Sequence, residues 1–273
     1  MPEGPEIWRA AAELAAVLDE QYIEAAEFTQ PHLKRYAATF TGQRVLRVEA
    51  RGKALLTHFD NQLSLYSHNQ LYGIWYVRKQ RRFPKTNRTL RVALHTASHS
   101  ALLYSASDIC VLDACGLSEH PYLDKLGPEA LQPEVTWRDI AARLADTQFR
   151  GRSLASLYLD QHFVAGIGNY LRSEILFNAR LHPARRPKDL SRGEIGKLAR
   201  YTLEITRRSL QTGGVTNPPA RAAKLKRDGK RYEGYRFAVF GRAGRTCYTC
   251  NDHIQRVEMG SRRLYLCPSC QPR

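Results

Sequence analysis

No stretch of the 273-residue sequence approaches the roughly 20 apolar residues of a membrane-spanning helix, because charged or polar side chains interrupt every hydrophobic run. The opening Met1-Pro2-Glu3-Gly4-Pro5-Glu6 lacks the basic start and apolar core of a signal peptide. A cytoplasmic chain with reduced thiols is therefore expected, and no membrane partner. Internal repeats and low-complexity tracts are missing, which excludes solenoids and disordered tails. Cysteine is sparse until the end: four of the six fall in the last 27 residues. In a reducing compartment that clustering points to metal before disulfides. Acidic residues are scarce in one region only. Residues 181–273 carry 21 basic and 7 acidic side chains, against 21 and 19 in residues 1–180. A surplus so confined implies a surface for a polyanion, most often nucleic acid.

What is present fits a globular protein of about two domains. Ile7, Ala11, Leu14 and Leu18 recur at helical spacing and predict one amphipathic helix. The six residues before it show no helix-start signature and read as an extended polar leader. From about residue 44 the period becomes two. Leu63 and Leu65 alternate with Ser64 and Tyr66, and Leu90, Val92 and Leu94 with Arg91, Ala93 and His95. Short strands with turns at Asp60-Asn61 and 85–87 suggest a sandwich or barrel over 20–118. Residues 120–134, with three prolines, read as a linker. Thr136 can cap a helix bearing Ile140 and Leu144, and Ser191 with Glu194 makes a capping box ahead of Ile195, Leu198, Thr202 and Ile205. Between these, residues 154–179 give two apolar helical patterns broken by Gly166-Ile167-Gly168-Asn169, consistent with a helix–two-turn–helix or a plain helical hairpin. Residues 212–234, rich in Gly, Pro, Lys and Arg, read as a flexible basic loop.

Cys247-x2-Cys250 and Cys267-x2-Cys270, separated by 16 residues, have the spacing of a four-cysteine zinc site. Two knuckles complete a tetrahedron, and a closed shell makes the metal structural. His253 is a rival ligand that four thiolates leave redundant; Cys110 and Cys115 read as packing residues. Arg256, Arg262 and Arg263 lie between the knuckles and could reach phosphates. The N-terminus allows one chemical use. If Met1 is removed, Pro2 presents a secondary amine, which with an aldehyde-like carbon gives a cationic iminium, an electron sink. An α-amino group titrates near ~8, so roughly a tenth is free base at neutral pH. Glu3 and Glu6 could relay protons.

Five motifs then occur in order: Pro2-Glu3-Gly4-Pro5-Glu6; Arg51-Gly52-Lys53-Ala54-Leu55-Leu56; Ser67-His68-Asn69-Gln70-Leu71-Tyr72-Gly73; Asp160-Gln161-x4-Gly166-x-Gly168-Asn169-Tyr170-x3-Glu174; and the four-cysteine hairpin. Together they resemble the formamidopyrimidine-DNA glycosylase and endonuclease VIII family, most closely its endonuclease VIII members, from residue 2 to the C-terminus. The resemblance implies an α+β protein of two domains: an N-terminal β-sandwich with a flanking helix over 2–119, a linker at 120–134, a helix–two-turn–helix domain over 135–240, and a zinc hairpin over 241–273. It implies a bifunctional glycosylase and abasic-site lyase of base excision repair. Its partner is damaged double-stranded DNA, it works as a monomer near the bacterial nucleoid, and it needs one structural zinc and no small-molecule cofactor. Carried over residue by residue, Pro2 is the nucleophile on C1′ and Glu3 the general acid/base. Lys53 contacts phosphate and assists proton transfer, and Glu6 supports the N-terminus. Asn169 and Arg262 bind phosphates, with Arg263 a competing candidate. Gln70, Leu71 and Tyr72 form the wedge that fills the gap left by an extruded nucleotide; without the family pattern, Leu71 and Tyr72 would read as a strand core pair. That wedge favours oxidised pyrimidines, whereas the basic loop at 212–234 weakens the preference, because the resemblance implies that a loop there can cap a flipped purine. A same-family enzyme for oxidised purines and a non-catalytic zinc-ribbon DNA binder stay open as alternatives.

Overall fold

The computed structural model describes residues 2–79 and 81–273, and the chain divides into two compact units. The first comprises Pro2 and residues 6–125; the second comprises Glu3–Pro5 and residues 126–273. Met1, whose removal the nucleophile reading requires, lies outside the described residues.

The first unit is a β-sandwich of two antiparallel four-stranded sheets. Its strands are β1 (Ala25–Phe28), β2 (Val45–Arg51), β3 (Ala54–Phe59), β4 (Ser64–His68), β5 (Ile74–Lys79), β6 (Leu90–His95), β7 (His99–Tyr104) and β8 (Asp108–Leu112). The sheet orders are β1-β6-β7-β5 and β2-β3-β4-β8. Helix α1 (Gly4–Leu18) sends Ile7, Ala11, Leu14 and Leu18 into the apolar core formed by Phe40, Phe59, Leu65, Val92 and Leu103. The 3.6-residue stripe therefore does what its spacing predicts. Two short helices, α2 (Tyr36–Phe40) and α3 (Ala114–Ser118), lie against β1 and β8 respectively. The strand alternation is less clean than the sequence implies. β4 buries Ser64, Leu65, Tyr66 and Ser67 in succession, because its outer face is also covered and Tyr66 stacks on His120 with ring centroids 4.4 Å apart.

The reading of the first residues as a leader that buries nothing is overturned. α1 begins at Gly4, with Pro5 and Glu6 in its first turn, where a missing N–H costs nothing and an acid faces the positive end of the helix. Glu3, Gly4 and Pro5 are all buried.

The second unit is helical: α4 (Trp137–Ala145), α5 (Leu154–Leu157), α6 (Asn169–Ala179), α7 (Arg192–Gln211), α8 (Pro219–Arg227) and α9 (Tyr232–Arg236), followed by the hairpin of β9 (Gln255–Glu258) and β10 (Arg263–Leu266). Both predicted N-caps form. The Asp139 carboxylate accepts from Thr136 N and Oγ1, and the Ser191 and Glu194 side chains each accept the other's amide. Arg185 beside Glu194 holds that carboxyl down at about 2. The unit boundary falls within 120–134, and residues after it pack on the second unit: Gly127 N donates to Gln161 O, and Ala165 N to Pro128 O.

The flexible loop expected over 212–234 is instead two helices. Pro219 opens α8, three alanines supply helix propensity, and Ala222 with Leu225 gives a buried stripe, while the Lys and Arg side chains stand outside. Cys115 is exposed, not packed; Cys110 is half-buried, and burial pushes its thiol up to about 11. No helix among the described residues is long and apolar enough to cross a membrane.

One buried carboxylate ties α6 to the chain entering the zinc-type hairpin. Glu174, fully buried, accepts from Ala238 N, Val239 N, Phe240 N and Thr216 Oγ1 at 2.6–2.9 Å. Removing it strands three backbone amides, Thr216 Oγ1 keeping Arg236 O as an acceptor, so Glu174→Ala should lower unfolding free energy by about 3 kcal/mol or more, whereas Thr216→Val should cost about 1. Urea denaturation of both variants measures this; equal, small losses would contradict it.

Candidate active site and nucleic-acid interface

Helix α6 leaves the first amides of its N-terminal turn without helical partners, as every helix must. Here a side chain from the far end of the sequence takes them. Glu3 Oε2 accepts from Gly168 N at 2.8 Å and Leu171 N at 3.2 Å, and Oε1 accepts from Tyr170 N at 2.8 Å. These three backbone partners are all donors, an arrangement that suits a carboxylate at the positive end of the helix dipole. Close approach requires the glycine: a Cβ on Gly168 would lie 2.5 Å from the Glu3 carboxyl carbon. Gly4 N donates to Gly166 O at 2.7 Å, and Gly166 holds a φ of +85° that favours glycine. Residue 2 is thus one peptide bond from a pinned carboxylate, and Pro2 is only half-buried. Glu6 sits in the first turn of α1 and accepts from Arg9 Nη2 at 3.0 Å.

Asn169 and the arginine-bearing hairpin are brought together by a residue the sequence reading missed. Arg172 is fully buried. Its Nη2 donates to Asn169 Oδ1 at 2.7 Å and to Arg263 O at 3.2 Å; its Nη1 donates to Ala155 O at 2.8 Å and Met259 O at 3.2 Å. Burial pulls its guanidinium down to about 10; the nearby Glu3 charge opposes that fall and Arg262 adds to it. A charged side chain inside an apolar core gives no periodic signal, which is why hydropathy does not reveal it. Arg262 and Arg263 are both exposed. Arg262 follows a two-residue turn in which Gly260 and Ser261 both have positive φ, the geometry of a type I′ hairpin. Arg263 is the first residue of β10, paired with Glu258.

In the first unit, Lys53 occupies a two-residue turn between β2 and β3, where Gly52 has a φ of +59°. The second central N–H of such a turn has no ladder partner. Tyr122 Oη accepts it at 2.7 Å. Tyr122 also meets the His68 ring edge-on, at 5.4 Å between centroids. His68 is held below the usual imidazole range, first by burial and further by Lys53, with Asp108 opposing. Next along the chain, Gln70 N donates to His68 Nδ1, and Ser107 Oγ donates to Gln70 Oε1. Leu71 and Tyr72 are not a strand core pair: they are 56% and 65% exposed in the turn after β4. A loop tip offering an amide, an isobutyl group and a phenol to solvent has the chemistry of a wedge between bases. Gln70 holds a left-handed φ of +48°, and the Tyr72 carbonyl is gripped by Arg88 Nη1.

The Sγ atoms of Cys247, Cys250, Cys267 and Cys270 all lie within 4.8 Å of one another, so the four could hold a metal ion. Burial pushes the Cys267 thiol up to about 11 and raises Cys270 as well. His253 is exposed.

A family model described as "Formamidopyrimidine-DNA glycosylase N-terminal domain" matches residues 1–107, and one described as "Formamidopyrimidine-DNA glycosylase H2TH domain" matches residues 126–218. "Endonuclease 8" of Salmonella arizonae is 45% identical over 273 residues, covering 99% of this chain and all of that protein. "Endonuclease 8" of an Escherichia coli O6:H1 strain matches with the same identity and coverage. Among solved structures, Lactococcus lactis Fpg in complex with DNA containing an abasic site superposes with a TM-score of 0.81 at 20% identity, covering 99% of this chain and 100% of that one. The same protein with DNA containing an N7-benzyl-Fapy-dG gives 0.81 at 22% identity, with full coverage of both chains. A β-sandwich, a helical unit with its two-turn motif and a four-cysteine hairpin, matched along the whole length, place this chain in the formamidopyrimidine-DNA glycosylase and endonuclease VIII family.

Proposed function

We propose that this chain, a DNA glycosylase with abasic-site lyase activity of base excision repair, removes oxidised pyrimidines from double-stranded DNA through a covalent bond to Pro2. The observation that carries the reading is the Glu3 carboxylate locked on the first turn of α6, with residue 2 beside it. With Met1 removed, the Pro2 nitrogen displaces the damaged base at C1′, and the sugar ring opens to an iminium. The base leaves with the bonding pair of its glycosidic bond and is protonated from solvent; the Glu3 carboxylate takes the proton that the Pro2 nitrogen loses and passes it to the ring oxygen as the C1′–O bond breaks. The cationic nitrogen acidifies the C2′ proton; its loss expels the 3′ phosphate, and a second elimination expels the 5′ phosphate. Water then frees Pro2. Lys53 supports the phosphate and the proton transfers, and Glu6, paired with Arg9, supports the start of α1.

A nucleotide must leave the stack before C1′ can be attacked, at a cost of a few kcal/mol. Gln70, Leu71 and Tyr72 would offset that cost by filling the vacancy. Asn169 and Arg262 would hold phosphates. The Arg172 bond to Asn169 Oδ1 turns the amide donors of Asn169 the other way, and Arg172 fixes the hairpin tip that carries Arg262; Arg263, whose carbonyl that same guanidinium holds, is the lesser candidate. Cys247, Cys250, Cys267 and Cys270 would hold one zinc ion, which supplies no chemistry to the reaction and shapes the hairpin. Four clustered thiols, some raised by burial, suit a cation that deprotonates them on binding. Oxidised pyrimidines are favoured over purines by the exposed wedge, and by the replacement of the expected loop at 212–234 with helices anchored on the hairpin. There Tyr248 Oη donates to Gly234 O, and Arg221 lies over the Tyr248 ring. The enzyme would act in the cytoplasm as a monomer without a small-molecule cofactor.

Duplexes carrying thymine glycol or 8-oxoguanine test the preference: faster nicking of the thymine glycol strand is expected, and faster nicking of 8-oxoguanine opposite cytosine would contradict it. Borohydride should capture a chain–DNA adduct on abasic DNA, and Pro2→Gly should lose it; equal capture by Pro2→Gly would refute the nucleophile. A second expectation concerns Tyr122. Losing one hydrogen-bond acceptor costs about 1 kcal/mol, so Tyr122→Phe should slow single-turnover strand cleavage roughly fivefold with affinity for DNA unchanged. An unchanged rate would show that the hydroxyl does not position Lys53.

A further inference from the structure

The positive charge of the first 180 residues is not spread over them. Arg78, Lys79, Arg81, Arg82, Lys85 and Arg88 fall within eleven residues, with Arg91 just beyond and no acidic residue among them. The rest of residues 1–180 holds 14 basic and 19 acidic side chains, so without this segment the stretch would be net negative. The six basic side chains are exposed on the end of β5 and the connection to β6. Among the described residues only Arg81 reaches a carboxylate, Glu24 at 3.9 Å. Like charges this close repel, and the repulsion is relieved only by counterions or by a polyanion that displaces them.

Protection of a sheet edge does not explain the cluster. β5 is an edge strand, and a lysine or arginine on it would deter pairing with another chain. Arg82, Lys85 and Arg88 lie past the end of the strand, where there is no edge to protect. The connection is held in place. Arg81 N donates to Ser100 Oγ at 3.0 Å, and Phe83, half exposed, meets the buried His95 ring edge-on. Arg88 Nη1 donates to the Tyr72 carbonyl, which ties this basic arm to the wedge loop. A wedge lies between bases only where phosphates flank it on both strands.

We propose that the β5–β6 connection is a phosphate-binding arm that grips the duplex backbone beside the point where the wedge enters. The inference rests on the reading of this chain as a DNA enzyme and adds a contact that the family motifs do not contain. It makes the arm a determinant of affinity and of salt dependence, not of the chemical step, because none of its free side chains needs to touch the reacting sugar.

The test uses the full chain with Lys79→Gln, Arg82→Gln and Lys85→Gln combined, and a duplex of about 25 base pairs bearing a non-cleavable tetrahydrofuran abasic analogue. Each phosphate contact adds about 0.9 to the slope of log affinity against log salt, so the triple variant should lower that slope by about 2 to 3. Single-turnover cleavage of a second duplex, bearing a natural abasic site at saturating concentration, should stay at the wild-type rate. A charge-preserving variant, Lys79→Arg, Arg82→Lys and Lys85→Arg, should keep the wild-type slope, which a folding defect would not spare. A slope changed by less than about 0.5 would overturn the proposal and leave the charge for another polyanion, such as an acidic protein segment. A wild-type chain that did not bind the lesion duplex even at low salt would refute the DNA reading itself, and the arm with it.

Discussion

The structure depends first on one carboxylate and three backbone amides. A helix that begins inside a protein must find acceptors for its leading N–H groups, and α6 finds them in Glu3, 165 residues away from Gly168 in the chain. The contact admits no side chain at Gly168 and needs the tight backbone of Gly166 to receive Gly4. Its consequence is positional. A chain terminus is ordinarily the most mobile part of a protein; here the third residue is clamped, so the second can be delivered to a reaction centre with little conformational freedom left to lose. Holding a reacting group in place in this way can remove a large part of an activation barrier.

The same helix serves two further attachments. Arg172 reaches from its first turns to Ala155, Met259 and Arg263, and Glu174 receives the amides of residues 238–240. Burying isolated charges costs several kcal/mol each, and such groups persist where hydrogen bonds saturate them. Here the partners are backbone groups of the hairpin, of the chain leading into it and of α5, joined by the Asn169 and Thr216 side chains, and Arg172 Nε alone of the guanidinium nitrogens is buried without a partner among the described residues. The arrangement couples the placement of Asn169 to that of Arg262, so two phosphate-binding candidates share one support. Lys53 shows the same logic on a smaller scale, its orphan turn amide capped by Tyr122.

The features legible in the sequence were those encoded over short distances. Two Cys-x2-Cys knuckles, the Ser191–Glu194 capping box and the stripe on α1 each declare themselves within about one to five turns of chain, and the structure contains them where the spacing puts them. Features set by long-range packing were not legible. α6 is buried on nearly every side, so it has no polar face to betray its register, and Arg172 and Glu174 are hidden inside it. The polar run before α1 read as a leader because its hydrogen-bond partners lie in another part of the chain. α8 and α9 read as a loop because glycine, proline and many like charges mask a stripe of only two apolar residues, Ala222 and Leu225. The basic run after β5 is masked in a regional charge count, because acidic residues elsewhere in the first 180 cancel it.

The most direct measurement is tandem mass spectrometry of the peptides from a borohydride-reduced adduct formed on abasic DNA. The account predicts a single modified peptide that begins at Pro2, lacks Met1 and carries the reduced sugar remnant on its terminal nitrogen. A remnant on the Lys53 side chain, or an adduct peptide that still begins with Met1, would contradict it.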